Sequence, residues 1–118
     1  GHISSVDGVA VLSDGRIASG SRDNSIKLWR NGVCERTLTG HTNFVWRLTE
    51  LPDGRLASCS VDNNIKLWNV TTGQCEMTLE GHTKWVYALA VLPDGGQLAT
   101  GSWDHSIKVW STETGWGR

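Results

Sequence analysis

Serine, histidine and aspartate are the side chains of a nucleophile–base–orienter triad, and this 118-residue chain supplies them in three matching sets. A Gly-His pair occurs at Gly1-His2, Gly40-His41 and Gly81-His82. Each is followed by a Ser- or Thr-bearing run with an aspartate in it: SGSRDNSIKLW with Asp23, SCSVDNNIKLW with Asp62, and TGSWDHSIKVW with Asp104. The runs end on Trp29, Trp68 and Trp110. Acyl transfer is the chemistry such a set could perform. A hydrolase needs it once, however, and no oxyanion hole or substrate cleft is encoded beside any copy. Triplication points to structural work, and a serine hydrolase is the least favoured alternative.

Other chemistry is sparse. No His, Cys, Asp and Glu cluster has metal-ligand spacing, and no Gly-rich phosphate loop occurs, so no cofactor or metal is expected. Cys34, Cys59 and Cys75 form no C-x-x-C pair and are read as reduced, half-buried strand residues, which fits a cytoplasmic setting. The fourth histidine, His105, occupies the turn position of Asn24 and Asn63 and is expected at the surface.

The elements that must position these residues repeat as well. The Trp spacings are 39 and 42 and the Gly-His spacings 39 and 41. The differences fall in turns, at Gly96 and near Thr71-Thr72. Asp-Gly recurs at Asp14, Asp53 and Asp94. One structural unit is therefore copied three times, over residues 1–39, 40–80 and 81–118. In the second copy, Phe44–Leu51, Arg55–Ser60, Ile65–Asn69 and Cys75–Leu79 read as strands. They are separated by Pro52-Asp53-Gly54, Asp62-Asn63-Asn64 and Thr72-Gly73, whose residues favour turns. Four short antiparallel strands per roughly 40 residues is the pattern of a propeller blade, so the fold class is all-β.

Gly-His, a tight-turn Asp and a strand-ending Trp at this period resemble the tryptophan–aspartate (WD) repeat family across the whole chain to about Gly115. One departure is that Arg30, Asn69 or Ser111 follows the Trp, never the Asp of the name. The resemblance implies a buried tetrad bracing each blade: indole to hydroxyl, hydroxyl to imidazole, imidazole to carboxylate. Carried over, the tetrads are Trp29, Ser19, His2 and Asp23; Trp68, Ser58, His41 and Asp62; and Trp110, Thr100, His82 and Asp104. Ser19, Ser58 and Thr100 are preferred to Ser21, Ser60 and Ser102 because the family interchanges Ser and Thr at that register. Each hydroxyl is then occupied by an indole donor, which further disfavours catalysis.

The resemblance also implies a partner-binding narrow face around the central channel. Its residues here are Ser5 and Asp7, Phe44 and Trp46, Trp85 and Tyr87, with Arg22, Val61 and Trp103 before the tight-turn aspartates. Five of these nine are aromatic, and aromatics and Arg dominate binding hot spots. The competing reading is that the rings fill blade-to-blade contacts. A protein or peptide is the expected ligand.

Eleven Lys and Arg against twelve Asp and Glu leave a net charge of −1. Nucleic acid and membrane surfaces are therefore not expected partners, and no apolar run approaches the roughly 18–20 residues of a membrane span. The apolar content of 38% is modest for a self-contained core. A propeller needs roughly 4–8 blades, and three are encoded. Two chains would make six blades and three chains nine, with the homodimer preferred to the homotrimer because it needs fewer encounters. The third repeat is expected to lack its outer strand. Gly1 in place of an initiator methionine fits a processed chain or an excised, relic or engineered piece whose one activity is self-assembly.

Overall fold

The computed structural model describes residues 6–21, 23–52, 54–80, 82–92 and 96–111, apart from the side chains of residues 6 and 7. Eleven strands run through the described residues: β1 Val6–Val11, β2 Ile17–Ser21, β3 Ile26–Arg30, β4 Val33–Leu38, β5 Val45–Glu50, β6 Leu56–Ser60, β7 Ile65–Trp68, β8 Cys75–Leu79, β9 Val86–Val91, β10 Gln97–Ser102 and β11 Ile107–Ser111. No helix is present among them, so none is long and apolar enough to cross a membrane. The strands form three antiparallel sheets, ordered β1-β2-β3-β4, β5-β6-β7-β8 and β11-β10-β9. The all-β class read from the sequence is the one observed. Whether the third repeat lacks an outer strand is a question about residues 112–118, which lie outside the described residues.

Strand ends are a residue or so shorter than their apolar runs because the end residues close turns. Leu51 N–H donates to the Arg55 carbonyl at 2.7 Å, and Asn69 N–H donates to that of Gln74 at 2.9 Å. The tight turns between the second and third strands of each sheet place Asn24, Asn63 and His105 at φ of 71°, 74° and 69°. That left-handed region suits Asn far better than a β-branched residue. The aspartate ahead of each of these residues completes the turn. Asp62 Oδ1 accepts the Asn64 N–H at 3.0 Å, as Asp23 accepts that of Ser25 and Asp104 that of Ser106.

The apolar core lies between sheets and not within one. Ala18, Ile26, Leu28 and Leu38 of the first sheet pack with Val45, Leu56 and Trp68 of the second. Ala57, Cys59, Ile65, Leu67 and Leu79 of the second pack with Val86, Leu98 and Trp110 of the third. Inner strand β6 is consequently buried along its whole length, whereas outer strands β4 and β8 are mostly exposed. This layering corrects the cysteine expectation. Cys34 is half-buried, but Cys59 on β6 is buried and Cys75 on β8 is exposed. Burial pushes the Cys59 thiol pKa up to about 12.

Candidate functional site

In the second and third repeats the polar sets assemble around His41 and His82, each hydrogen-bonded to side chains of its own repeat. In the second repeat, Trp68 Nε1–H donates to Ser58 Oγ at 2.8 Å, and Ser58 Oγ lies 2.7 Å from His41 Nε2. His41 Nδ1 lies 2.8 Å from Asp62 Oδ2. The third repeat follows the same order: Trp110 to Thr100 at 2.8 Å, Thr100 to His82 at 2.7 Å, His82 to Asp104 at 2.9 Å. In the first repeat the Trp29–Ser19 bond is present at 2.8 Å and Asp23 holds Ser25, while His2 lies outside the described residues.

Hydroxyl directions follow from the chain's two ends. An indole can only donate, and a carboxylate can only accept. The imidazole therefore gives its Nδ1 proton to Asp and accepts the hydroxyl proton at Nε2. Asp62 Oδ2 also accepts the Thr42 N–H at 3.0 Å, and Asp104 Oδ2 the Thr83 N–H at 3.0 Å. These bonds decide the electrostatics. Burial raises the Asp62 carboxyl, but the His41 hydrogen bond, with the Thr42 and Asn64 amides, outweighs it and holds its pKa below the ordinary 3.8. The Ser106 hydroxyl is the largest influence on Asp104; with His82, Thr83 and the Ser106 amide it overcomes burial and holds that carboxyl well below the same value. Ser58 and Thr100 are almost wholly buried and each hydroxyl is already occupied by an indole and an imidazole.

Ser21, Ser60 and Ser102 have a separate role that sequence reasoning missed. Ser60 Oγ donates to the Asn43 carbonyl at 3.1 Å and accepts the Asp62 N–H at 3.1 Å. Ser102 repeats this with the Lys84 carbonyl and the Asp104 amide, at 2.8 and 3.2 Å. Ser60 and Ser102 pin the tight turn to the segment entering the first strand of the sheet, and Ser21 Oγ accepts the Asp23 N–H at 3.2 Å. Their identity in all three repeats was the available signal.

The aromatic residues gather at the edge where β5 and β9 begin and the β6–β7 and β10–β11 turns lie. Val61 N–H bonds the Phe44 carbonyl at 3.0 Å, and Trp103 N–H bonds that of Trp85 at 2.9 Å, so turn and strand entry form one surface. A bulge opposite each second strand, between Val45 and Arg47 in β5 and at Tyr87 in β9, leaves Trp46 and Tyr87 out of the ladder. Bulges re-aim side chains, and here Trp46 turns toward the neighbouring sheet. Its ring centroid is 5.1 Å from that of Trp85 at an interplanar angle of 73°, and Trp85 stacks on Trp103 at 5.3 Å and 30°. Arg47 lies over Trp46 at 5.4 Å, within cation–π range.

The three indoles do different work. Trp46 is half-buried and packs on the core between the second and third sheets. Trp103 is 59% exposed, and Phe44 and Tyr87 are also exposed. Val61 is half-buried. The Trp85 Nε1–H, in contrast to those of Trp68 and Trp110, is buried with no hydrogen-bond acceptor. Ser5, Arg22 and the side chain of Asp7 lie outside the described residues. No three His, Cys, Asp or Glu side chains come together as a metal site among the described residues.

Comparison with known proteins matches this geometry. The chain is similar to a crystal structure of the WD40 β-propeller domain of Doa1, with a TM-score of 0.93 and 35% identity over 100% of this chain and 40% of that one. It is 50% identical over 48 residues to F-box/WD repeat-containing protein 7 of Drosophila melanogaster. That match takes in 39% of this chain and 4% of the relative, so the chain is far shorter than either protein. The model of the WD domain, G-beta repeat family matches residues 1–30, 32–69 and 73–111. Three blades, each carrying its own match, make this chain a member of the WD40-repeat β-propeller family.

Proposed function

We propose that this chain is a non-catalytic scaffold that binds a protein or peptide on its aromatic edge. Domains of this family are generally protein-interaction scaffolds without catalysis. The observation that carries the reading for this chain is the continuous indole layer Trp46–Trp85–Trp103. It is anchored in the core at one end and 59% exposed at Trp103. A rigid ring offers large contact area at little entropic cost. The buried, doubly occupied Ser58 and Thr100 hydroxyls support the non-catalytic part of the reading.

Trp103 is the residue to test, because Trp46 also fills the joint between blades and its removal would disturb folding. Peptides selected from a displayed library against the chain should lose at least tenfold in affinity on Trp103→Ala while far-UV circular dichroism stays unchanged. Binders that ignore both Trp103→Ala and Tyr87→Ala would overturn the reading.

Self-association belongs to the same proposal, with a six-bladed dimer preferred to a nine-bladed trimer. It is supported by apolar side chains exposed at both ends of the arc: Val9, Val11 and Ile17 at one and Ile107 at the other. Three free cysteines and a net charge of −1 support a reducing, cytoplasmic setting and a partner that is neither nucleic acid nor membrane.

A further inference from the structure

A polar cavity of about 310 Å³ lies where the first and second sheets meet, at the end of the strands opposite the aromatic edge. The β1–β2 turn supplies Ser13 and Arg16. The second repeat supplies Glu50 at the end of β5, Arg55 at the start of β6 and Thr71 at the β7–β8 turn. Both walls belong to a joint inside the chain.

The repeat itself does not require this chemistry. Ser13 donates its N–H and hydroxyl to the Glu50 carboxylate at 3.0–3.1 Å. Where the second and third sheets meet, Pro52 and Val91 stand in those two places. Proline has no N–H to give, and Val91 packs on the apolar core. A joint between sheets therefore forms without the polar pair, and the first joint carries charge that the blade fold does not call for.

The wall keeps open hydrogen-bonding capacity of both signs. The Arg16 side chain is only 11% exposed. Its Nε–H donates to Asp14 Oδ2 at 2.8 Å, its Nη2 lies 2.8 Å from the same oxygen, and its Nη1 donates to the Val70 carbonyl at 3.2 Å. A guanidinium has five N–H groups, so one on each terminal nitrogen has no acceptor among the described residues. Glu50 is the converse. Ser13 brings it two donors, a carboxylate offers about four lone-pair sites, and no cationic side chain pairs with it among the described residues. Asp14 and Glu50 against Arg16 and Arg55 leave the lining balanced in charge.

That balance selects the guest. A purely anionic molecule would meet Glu50, and a purely cationic one would meet Arg16 and Arg55; like charges in a recess repel. A molecule with both charges answers each wall through a charge-assisted hydrogen bond and adds no net charge. We propose that this cavity binds a small zwitterion of the free amino-acid class, with its carboxylate on the open N–H groups of Arg16 and its ammonium on Glu50. The volume is sufficient, since ligand pockets run upward from about 300 Å³. The site is separate from the aromatic edge, and neither proposal depends on the other.

The test is an amide NMR titration of the nitrogen-labelled chain with each protein amino acid in turn. At least one should shift the Ser13, Gly54 and Thr71 amides with a Kd of about 1 mM or tighter. Its carboxamide derivative keeps only the ammonium, and its N-acetyl derivative keeps only the carboxylate. Each should bind about tenfold more weakly or worse, through loss of one charge-assisted contact. In Glu50→Gln the amino acid and its N-acetyl derivative should bind alike, with wild-type circular dichroism. Should that variant unfold, the comparison of derivatives on the wild-type chain decides alone. No shift at the cavity with any amino acid overturns the proposal. A carboxamide that binds as well as its parent overturns it in favour of a site for cationic side chains. An N-acetyl derivative that does so overturns it in favour of a site for carboxylates. Shifts confined to the Trp103 edge overturn it too, by placing the guest at the other end of the strands.

Discussion

The inner joints and the end faces of this arc are built from the same letters in the same register, yet one is core and the other surface. Ile65 and Ile107 each open a third strand in an Ile-Lys-apolar-Trp run, and one is 0% exposed, the other 78%. Nothing within either strand explains the difference. A blade is apolar on both faces and can bury neither by itself, so its stability comes from its neighbours. The tetrads behave in the opposite way. Trp68, Ser58, His41 and Asp62 all belong to one repeat, and their hydrogen bonds close within it. The contrast separates what a blade does for itself from what it does through contact.

The largest expected effect sharpens that contrast directly. Ile65→Ala should cost about 2–5 kcal/mol by removing a fully packed side chain from the joint. Ile107→Ala, measured where the chain is monomeric, should change stability by less than about 0.5 kcal/mol. Urea denaturation of both variants gives the comparison, and equal losses would break it. Asp62→Ala should cost about 2–4 kcal/mol, because His41 and the Thr42 and Asn64 amides lose their acceptor inside the blade. Its thermal midpoint should fall at every protein concentration, since the tetrad owes nothing to association.

Acidification should give the smallest and most graded effect. The Asp62 and Asp104 carboxyls are held below 3.8 in the folded chain. The unfolded chain therefore binds more protons as pH falls, and stability drops with it. The contribution is complete above about pH 5 and is lost progressively below about pH 4. Urea midpoints between pH 7 and pH 3 should show this decline, and Asp62→Asn should flatten it. Midpoints that stay level between pH 7 and pH 3 would break this expectation.

Much of the blade was legible because its signals are local. Asn63 and His105 mark turns through a backbone region few residues tolerate. The tetrads were legible through the family resemblance, and triplication set the catalytic reading of Ser, His and Asp against a structural one. Trp46 was less so. Sequence left it between a binding face and a blade-to-blade contact; its bulge turns it toward the joint between blades, where it wedges against Trp85. A bulge is a ladder property and leaves no unambiguous letter behind. The unpartnered Trp85 N–H was equally invisible, since an indole's lack of an acceptor depends on everything packed around it.

By itself the sequence determined the strands, the turns, the threefold unit and the order of polar residues within each unit. These depend on side-chain alternation, turn chemistry and hydrogen bonds between residues a fixed distance apart. Only the tertiary structure decided which of three equivalent isoleucines is exposed, which cysteine is sealed at β6 and which tryptophan is a wedge. Burial is conferred by the opposing face, and a repeated sequence writes the same face whether or not another meets it.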